Sequence, residues 1–331
     1  MTENLVHKFG ADPEVFIINS QNSGKNTPYG ILHEIIPPIA LITDYGKKYK
    51  EIKGKKVLIE NKNFQWSEDG AAIELQINPS NNLNTLVERL HSARFELNKY
   101  LSELGLQMST QVTGFFDVNK YWKERDDMFR SCVIFGCDPD MSPSLYYSTG
   151  LDEFPEELDV SEHPYRYAGG HIHIQAPKDN PNIYMNNWEE AAILFDFIVG
   201  LKNVTYKRPD SVELQELARL KYYGKPGRIR LQNYDEKNNI FGIEYRVMSN
   251  YWLHQSRLMG ILFNAIDLST SLLERGIGTI FLAKFEDIIP DMYKTIMNRD
   301  LDMARKILIK VTDWLLSNRM ITLKEAANQN E

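Results

Sequence analysis

Cysteine is almost absent from this chain: Cys132 and Cys137, with four residues between them in CVIFGC, are the only two among 331 residues. No disulfide framework can be built from them, and a structural zinc site would need a second pair. They read as buried or partly buried free thiols of a reducing compartment. Long apolar runs are missing too, since no uninterrupted stretch reaches the roughly 18 residues of a membrane span. No apolar leader follows Met1, so the expectation is a cytoplasmic protein with no membrane partner. Positive charge is in deficit, with 38 Lys and Arg against 45 Asp and Glu and a net charge of −7. That balance excludes a general nucleic-acid-coating role, which needs a basic field, but leaves room for a local basic pocket. There is no internal repeat, heptad array, low-complexity tract or evident linker.

What remains is ample for a large core, at 43% hydrophobic and 11% aromatic residues. Leucines spaced three and four apart from Leu83 to Leu104 predict a helix over 82–104, stopped by Gly105. Similar patterns predict helices over 187–202, 251–275 and 300–318, the last with Ala304, Ile307, Val311, Trp314 and Leu315 on one stripe. The lysine-rich stretch 46–56 reads as an exposed hairpin or loop with a solvated charged face, and the acidic stretch 152–162 as a surface loop. Residues 321–331 read as a frayed tail. Polar-faced strands occur from residue 10 to residue 248, so cutting the chain would divide them. The expectation is one α+β domain over 1–331, with a core at about 9–253 and a helical segment at about 254–320. Its sheet is mostly antiparallel and carries helices on its back.

Four stretches carry the chemistry: GADPEVFII (10–18), AAIELQINP (71–79), GGHIHIQ (169–175) and FGIEYRVM (241–248). Side chains alternate along a strand with period two. Asp12 and Glu14 therefore share a face, as do Glu74, Gln76 and Asn78, then His171 and His173, then Glu244 and Arg246. Carboxylates in this density suit hard Mg²⁺ or Mn²⁺, and paired imidazoles suit a metal or a phosphate. Each stretch has a plainer reading: Asp12 as a turn cap, Glu74 on an ordinary wet face, the histidines as satisfied core residues, Glu244 and Arg246 as an ion pair. Pro13 places its strand at an edge or at its entry into the sheet, and Gly169-Gly170 would let a ligand approach the backbone. The stretch from Lys221 to Arg230 gathers Lys221, Lys225, Arg228 and Arg230 among glycines and tyrosines. It fits phosphate contact, or a solvated loop, without being a Walker loop.

The order G-x-D-P-E, D-G-x-x-x-E-x-x-x-N-P, G-G-H-I-H-I, then a Gly-Arg-rich strand and E-Y-R, resembles the phage-associated carboxylate-amine ligases. These amidoligases belong to the glutamine synthetase and glutamate-cysteine ligase superfamily. The resemblance implies a curved antiparallel sheet whose concave face binds ATP and two or three Mg²⁺ or Mn²⁺ ions, in an enzyme acting in the cytoplasm, the host's if phage-encoded. It implies metal-binding roles for Glu14, Glu74, Glu244 and His171, with Asp12 standing where relatives often carry a second Glu. His173, Lys221, Arg228 and Arg230 would serve the nucleotide, and Arg246 would balance the γ-phosphate. Asp69 and Asp138 are the candidate acids to take the amine's proton. The substrates would be a small-molecule or peptide carboxylate and an amine, and the oligomeric state stays open. Two other readings compete: a metal-dependent hydrolase that uses no nucleotide, and a phage binding or structural protein that keeps the fold without the chemistry.

Overall fold

In a computed structural model the protein is described for residues 6–330, apart from 22, 23, 53 and 124–161. Cys132, Cys137, Asp138 and nearly all of the acidic stretch 152–162 lie outside the described residues. The fold is α+β. Numbering the strands of its large sheet alone, these are β1 (Lys8–Ala11), β2 (Glu14–Val15), β3 (Lys50–Ile52), β4 (Lys55–Glu60), β5 (Phe64–Asp69), β6 (Ala72–Ser80), β7 (Ile172–Gln175), β8 (Ile229–Asp235) and β9 (Ile240–Tyr245). They lie in the order β8-β9-β7-β1-β6-β5-β4-β3, with β2 also on β6. Every pairing in this sheet is antiparallel.

Period-two alternation sorts the sheet into two faces. Phe64, Trp66, Ile73, Leu75, Ile77, Ile172, Ile174, Ile243 and Tyr245 are buried in one apolar cluster with the helices behind. Helix α1 (Leu83–Ser102) contributes Leu86, Leu90, Ala93, Leu97 and Leu101 to that cluster. Its start is fixed by Asn82, whose side chain accepts from the N–H groups of Asn84 and Thr85. The same cluster runs on through α2 (Trp188–Phe195), α3 (Leu201–Thr205), α5 (Ser256–Glu274), α6 (Ile277–Phe285), α7 (Ile289–Asn298) and α8 (Leu301–Ser317). Helix α4 (Asp210–Leu220) lies between α3 and β8 in the chain.

The expected helices are present within a few residues, with two differences. The stretch 251–275 divides into a 3-10 turn, Asn250–His254, and α5. The expected frayed tail carries a helix, α9 (Leu323–Asn330), because Thr322 and Glu325 cap each other reciprocally. Among the described residues no helix is long and apolar enough to cross a membrane.

Pro13 is not at an edge. It sits between β1 and β2 in the middle of the sheet, and the missing N–H is what breaks one strand into two. The break stays anchored on both sides, with Asp12 N–H donating to His171 O, Glu14 N–H to Gly169 O and Leu75 N–H to Pro13 O.

Between α2 and α3 the chain makes one π turn, Asp196–Gly200. Its Asp196 is fully buried and accepts from the Tyr245 hydroxyl at 2.7 Å and from the Gly227 N–H. One carboxylate thus ties the helical layer to β9 and to the turn that precedes Arg228. Burial pushes its pKa up to about 7, against the two hydrogen bonds. The folded value lies above the unfolded one, so the stability from this group is complete at pH about 4 and lost as pH rises through 7. The melting temperature of Asp196→Asn relative to the parent is expected to improve between pH 4 and pH 8; a difference that is constant with pH contradicts this.

Candidate functional site

Sheet register assembles the polar face. Across four neighbouring strands Gly10, His173, Glu244 and Arg230 stand in one row, and Glu14, Glu74 and Ser67 in another. Asp12 lies just past β1, where its Oδ2 is 2.7 Å from His173 Nε2 and its Oδ1 is 3.6 Å from His171 Nδ1. Four donors converge on the Glu244 carboxylate: Arg246 Nη1 at 2.9 Å, His171 Nδ1 at 3.1 Å, Arg230 Nη1 at 3.2 Å and Gln232 Nε2 at 2.7 Å. Burial alone would raise the Glu244 pKa, but the His171 hydrogen bond, the His171 and His173 charges and Arg246 outweigh it and hold the group below the usual carboxylate range.

The opposite charge arrangement governs the β5–β6 side. Burial, then the charges of Glu14 and Glu74, push Asp69 up to about 8, with Lys55 opposing. Glu74 is raised by burial and by Asp12, again against Lys55. Its Oε2 accepts from Lys55 Nζ at 2.7 Å, from Ser67 Oγ at 3.2 Å and from Gln76. Glu14 accepts from the Gly169 N–H at 2.8 Å. For His173, burial pulls the pKa down while the charge and hydrogen bond of Asp12, then Glu244, lift it to about 9.

Asp12, Lys55, Glu74, His173, Arg230 and Tyr234 line an open cleft of about 330 Å³ over this face. One oxygen each of Asp12 and Glu244 and one nitrogen of His173 lie within 4.8 Å of one another; Asp12 and His173 line the cleft, whereas Glu244 is buried and does not. That spacing and donor set suit a hard divalent cation. Asp12 Oδ1 is buried without a hydrogen bond, which leaves a lone pair for a cation to meet. Glu14, Asp69 and Glu74 supply further carboxylates beside it.

The sequence candidates therefore converge, with qualifications. Asp12, Glu14, Asp69, Glu74, His171, His173, Arg230, Glu244 and Arg246 form one connected set. Arg246 is buried at 1% exposure and braces Glu244 rather than lining the cleft. Arg228 lies just before β8, where its carbonyl accepts from the Arg246 N–H at 3.1 Å, and is half-buried. Lys221 is exposed at the end of α4, its ammonium 5.8 Å from the centre of the Tyr29 ring, and does not line the cleft. Asn78 is structural, donating to Lys62 O at 2.8 Å.

Three participants were not legible in the motifs. Lys55 belongs to the β3–β4 hairpin, and together with Lys56 it corrects the reading of that stretch as a solvated face. Antiparallel pairing carries the two lysines to the buried Glu74 and Glu68, at 2.7 and 3.3 Å. Tyr234 places its hydroxyl 2.6 Å from His173 Nδ1. Gly242 was the available signal for that ring, since a Cβ there would collide with it. Tyr223 contacts His171 Nε2 and approaches Glu14 Oε1 at 3.5 Å. The Gly169-Gly170 pair serves the protein itself: a Cβ on Gly169 would overlap the His171 ring, and one on Gly170 the Ser249 carbonyl.

No protein-family model matches this chain, and no curated protein does. A solved structure described as a novel glutamine synthase homolog is similar at 13% identity and a TM-score of 0.37, over 92% of this chain and 67% of that one. A likeness of that degree bears no weight for the chemistry, which rests on the residues above.

Lys55 is the cation already present among these carboxylates, and a divalent ion entering beside Glu74 must meet its charge. Lys55→Met is expected to tighten Mn²⁺ binding by up to roughly tenfold, the scale of one well-screened charge a few ångströms away. A titration of the free-ion electron paramagnetic resonance signal reads this out, and weaker binding in the variant contradicts it.

Proposed function

We propose that this protein is an ATP-dependent carbon–nitrogen ligase that joins a carboxylate to an amine through an acyl phosphate, with Mg²⁺ or Mn²⁺ in the cleft. The observation that carries the reading is the close approach of Asp12, His173 and Glu244 on a sheet face flanked by Arg230 and Lys55. Cation-binding carboxylates beside cationic side chains are what a triphosphate needs, because its charge must be neutralised while its terminal phosphoryl group is transferred. A nucleotide-free hydrolase would need the acids and histidines but not the flanking cations. The order of motifs that resembles the amidoligases points the same way, and a cytoplasmic location is part of the proposal.

Bound divalent ions would supply positive charge to offset that of the phosphates. The chain's own residues do the rest. Asp12, Glu74 and Glu244 would hold the ions, with Glu14 and His171 beside them. Arg246 fixes Glu244 in place from the buried side, and Gln232 does so from β8. Arg230 and Lys55 face the triphosphate, and His173, steadied by Tyr234, sets the position of Asp12. A substrate carboxylate oxygen attacks the γ-phosphorus and ADP departs. The amine nitrogen then attacks the acyl carbon, the C–O bond to phosphate breaks, and the nitrogen gives its proton to a base. Asp69 is the described carboxylate suited to that last step, since burial and its acidic neighbours raise its basicity.

Calorimetric titration with ATP, with and without Mg²⁺, tests the reading. Saturable binding is expected only with the metal, weakened at least about tenfold by Asp12→Asn, a ligand loss of ordinary size. ADP release should then require both a carboxylate and an amine. Binding that ignores Mg²⁺, or ADP release independent of both substrates, overturns the assignment.

A further inference from the structure

A second recess lies in the helical layer and shares no lining residue with the cleft. It is formed where the end of α3 and the residues after it meet the first turns of α5 and α8, and its volume is about 360 Å³. Seven described residues line it: Lys202, Thr205, Tyr206, Lys207, Arg257, Ile261 and Arg305. Four of these are cations and none is an acid, in a chain whose acids outnumber its Lys and Arg by 45 to 38. Lys202 is buried at 3% exposure, whereas Lys207, Arg257 and Arg305 are exposed.

The acids of α4 are engaged elsewhere. Glu213 of α4 is bonded to Arg299, and Glu216 lies 3.5 Å from Arg208 and accepts from Ser249. Among the described residues, the side chains of Lys207, Arg257 and Arg305 have no ion-pair or hydrogen-bond partner. Arg208, next in the chain to Lys207, is buried, and its pKa is lowered to about 10 by burial and then by the charge of Arg299. Asp300 and Asp302 stand at the start of α8, Asp300 as its cap, and neither lines the recess. A group of like charges around a concavity is unfavourable by itself and raises the local concentration of anions.

We infer that this recess is a binding site for a small organic polyanion, with phosphoryl or carboxylate groups on Arg257, Arg305, Lys207 and Lys202. Its apolar part would lie against Ile261 and the Tyr206 ring. Two guanidinium forks favour planar or tetrahedral oxyanions that accept paired hydrogen bonds. The size lies within the usual range for small-molecule sites. Because the residues belong to the helical layer, the site is independent of the ligase reading and would stand if that reading failed.

Tripolyphosphate and citrate are the probes, titrated calorimetrically into the full chain in metal-free buffer at 50 mM and 200 mM salt. One saturable site is expected for at least one probe, weaker at the higher salt. The double variant Arg257→Gln/Arg305→Gln should weaken it at least tenfold, while the cleft variant Arg230→Gln should leave it unchanged. Both substituted arginines of the double variant are exposed, and its circular dichroism spectrum is compared with the parent's to check that it is folded. Binding by tripolyphosphate alone assigns the site to phosphoryl groups, and binding by citrate alone to carboxylates. No saturable binding of either probe at 1 mM overturns the inference, and so does binding that survives the double variant or is lost in Arg230→Gln.

Discussion

The polar face of the sheet depends on how the charge of Glu244 is met. Its carboxylate is almost completely buried between Arg246, Arg230, His171 and Gln232, and it lies opposite His173 in the sheet register. Two unit charges 4 Å apart interact by about 4 kcal/mol at the effective dielectric of a protein. A buried carboxylate left without its donors would therefore cost more than most single contacts in the fold return. Glu244 is paired with His173 in the register and Asp12 contacts His173 at 2.7 Å, which brings one donor atom of each within 4.8 Å of the others. On the β5–β6 side the balance runs the other way: Asp69, Glu14 and Glu74 crowd together with Lys55 as their nearest cation, and the first two carboxyls to suffer, Asp69 and Glu74, are raised. The cleft is thus saturated with positive charge on one flank and short of it on the other.

The apolar back of the sheet makes this arrangement rigid. Tyr245, next to Glu244 in the chain, points into the core and donates to Asp196, and Asp196 also accepts from Gly227 at the turn before Arg228. The strand that carries Glu244 and the loop that leads to Arg230 are therefore fixed by the same carboxylate on the far side. A site on strands with such support holds its geometry better than one on loops. The π turn at Asp196–Gly200 is the local irregularity that brings this side chain to both partners.

Much of this was legible in the sequence because side-chain alternation is a local property. Asp12 with Glu14, Glu74 with Gln76 and His171 with His173 needed only the period of two to be placed on one face. Cross-strand register is not local, which is why Lys55 read as solvated: nothing in GKKYKEIKGKK says that its hairpin pairs onto the strand beside Glu74. Tyr223 and Tyr234 read as ordinary aromatics for the same reason, although Gly242 marks the place where a ring must lie. The missing N–H of Pro13 signals an edge strand or a strand's entry into the sheet, whereas the sheet accepts it centrally by breaking the strand. The pair Glu244 and Arg246 shows that a plain structural reading and a functional one can both hold, since the ion pair is present and it positions a candidate ligand. The helices were the easiest elements to foresee, through the leucine spacing of α1 and the stripe of α8. The tail helix was missed because its signal is a reciprocal cap rather than an apolar stripe.

The most direct test of a cation site at Asp12, His173 and Glu244 is anomalous diffraction from crystals soaked in Mn²⁺. The account predicts an anomalous peak among the side chains of these three residues, lost in Asp12→Asn. A peak elsewhere on the sheet, or none at Mn²⁺ concentrations that saturate the protein in solution, would contradict it.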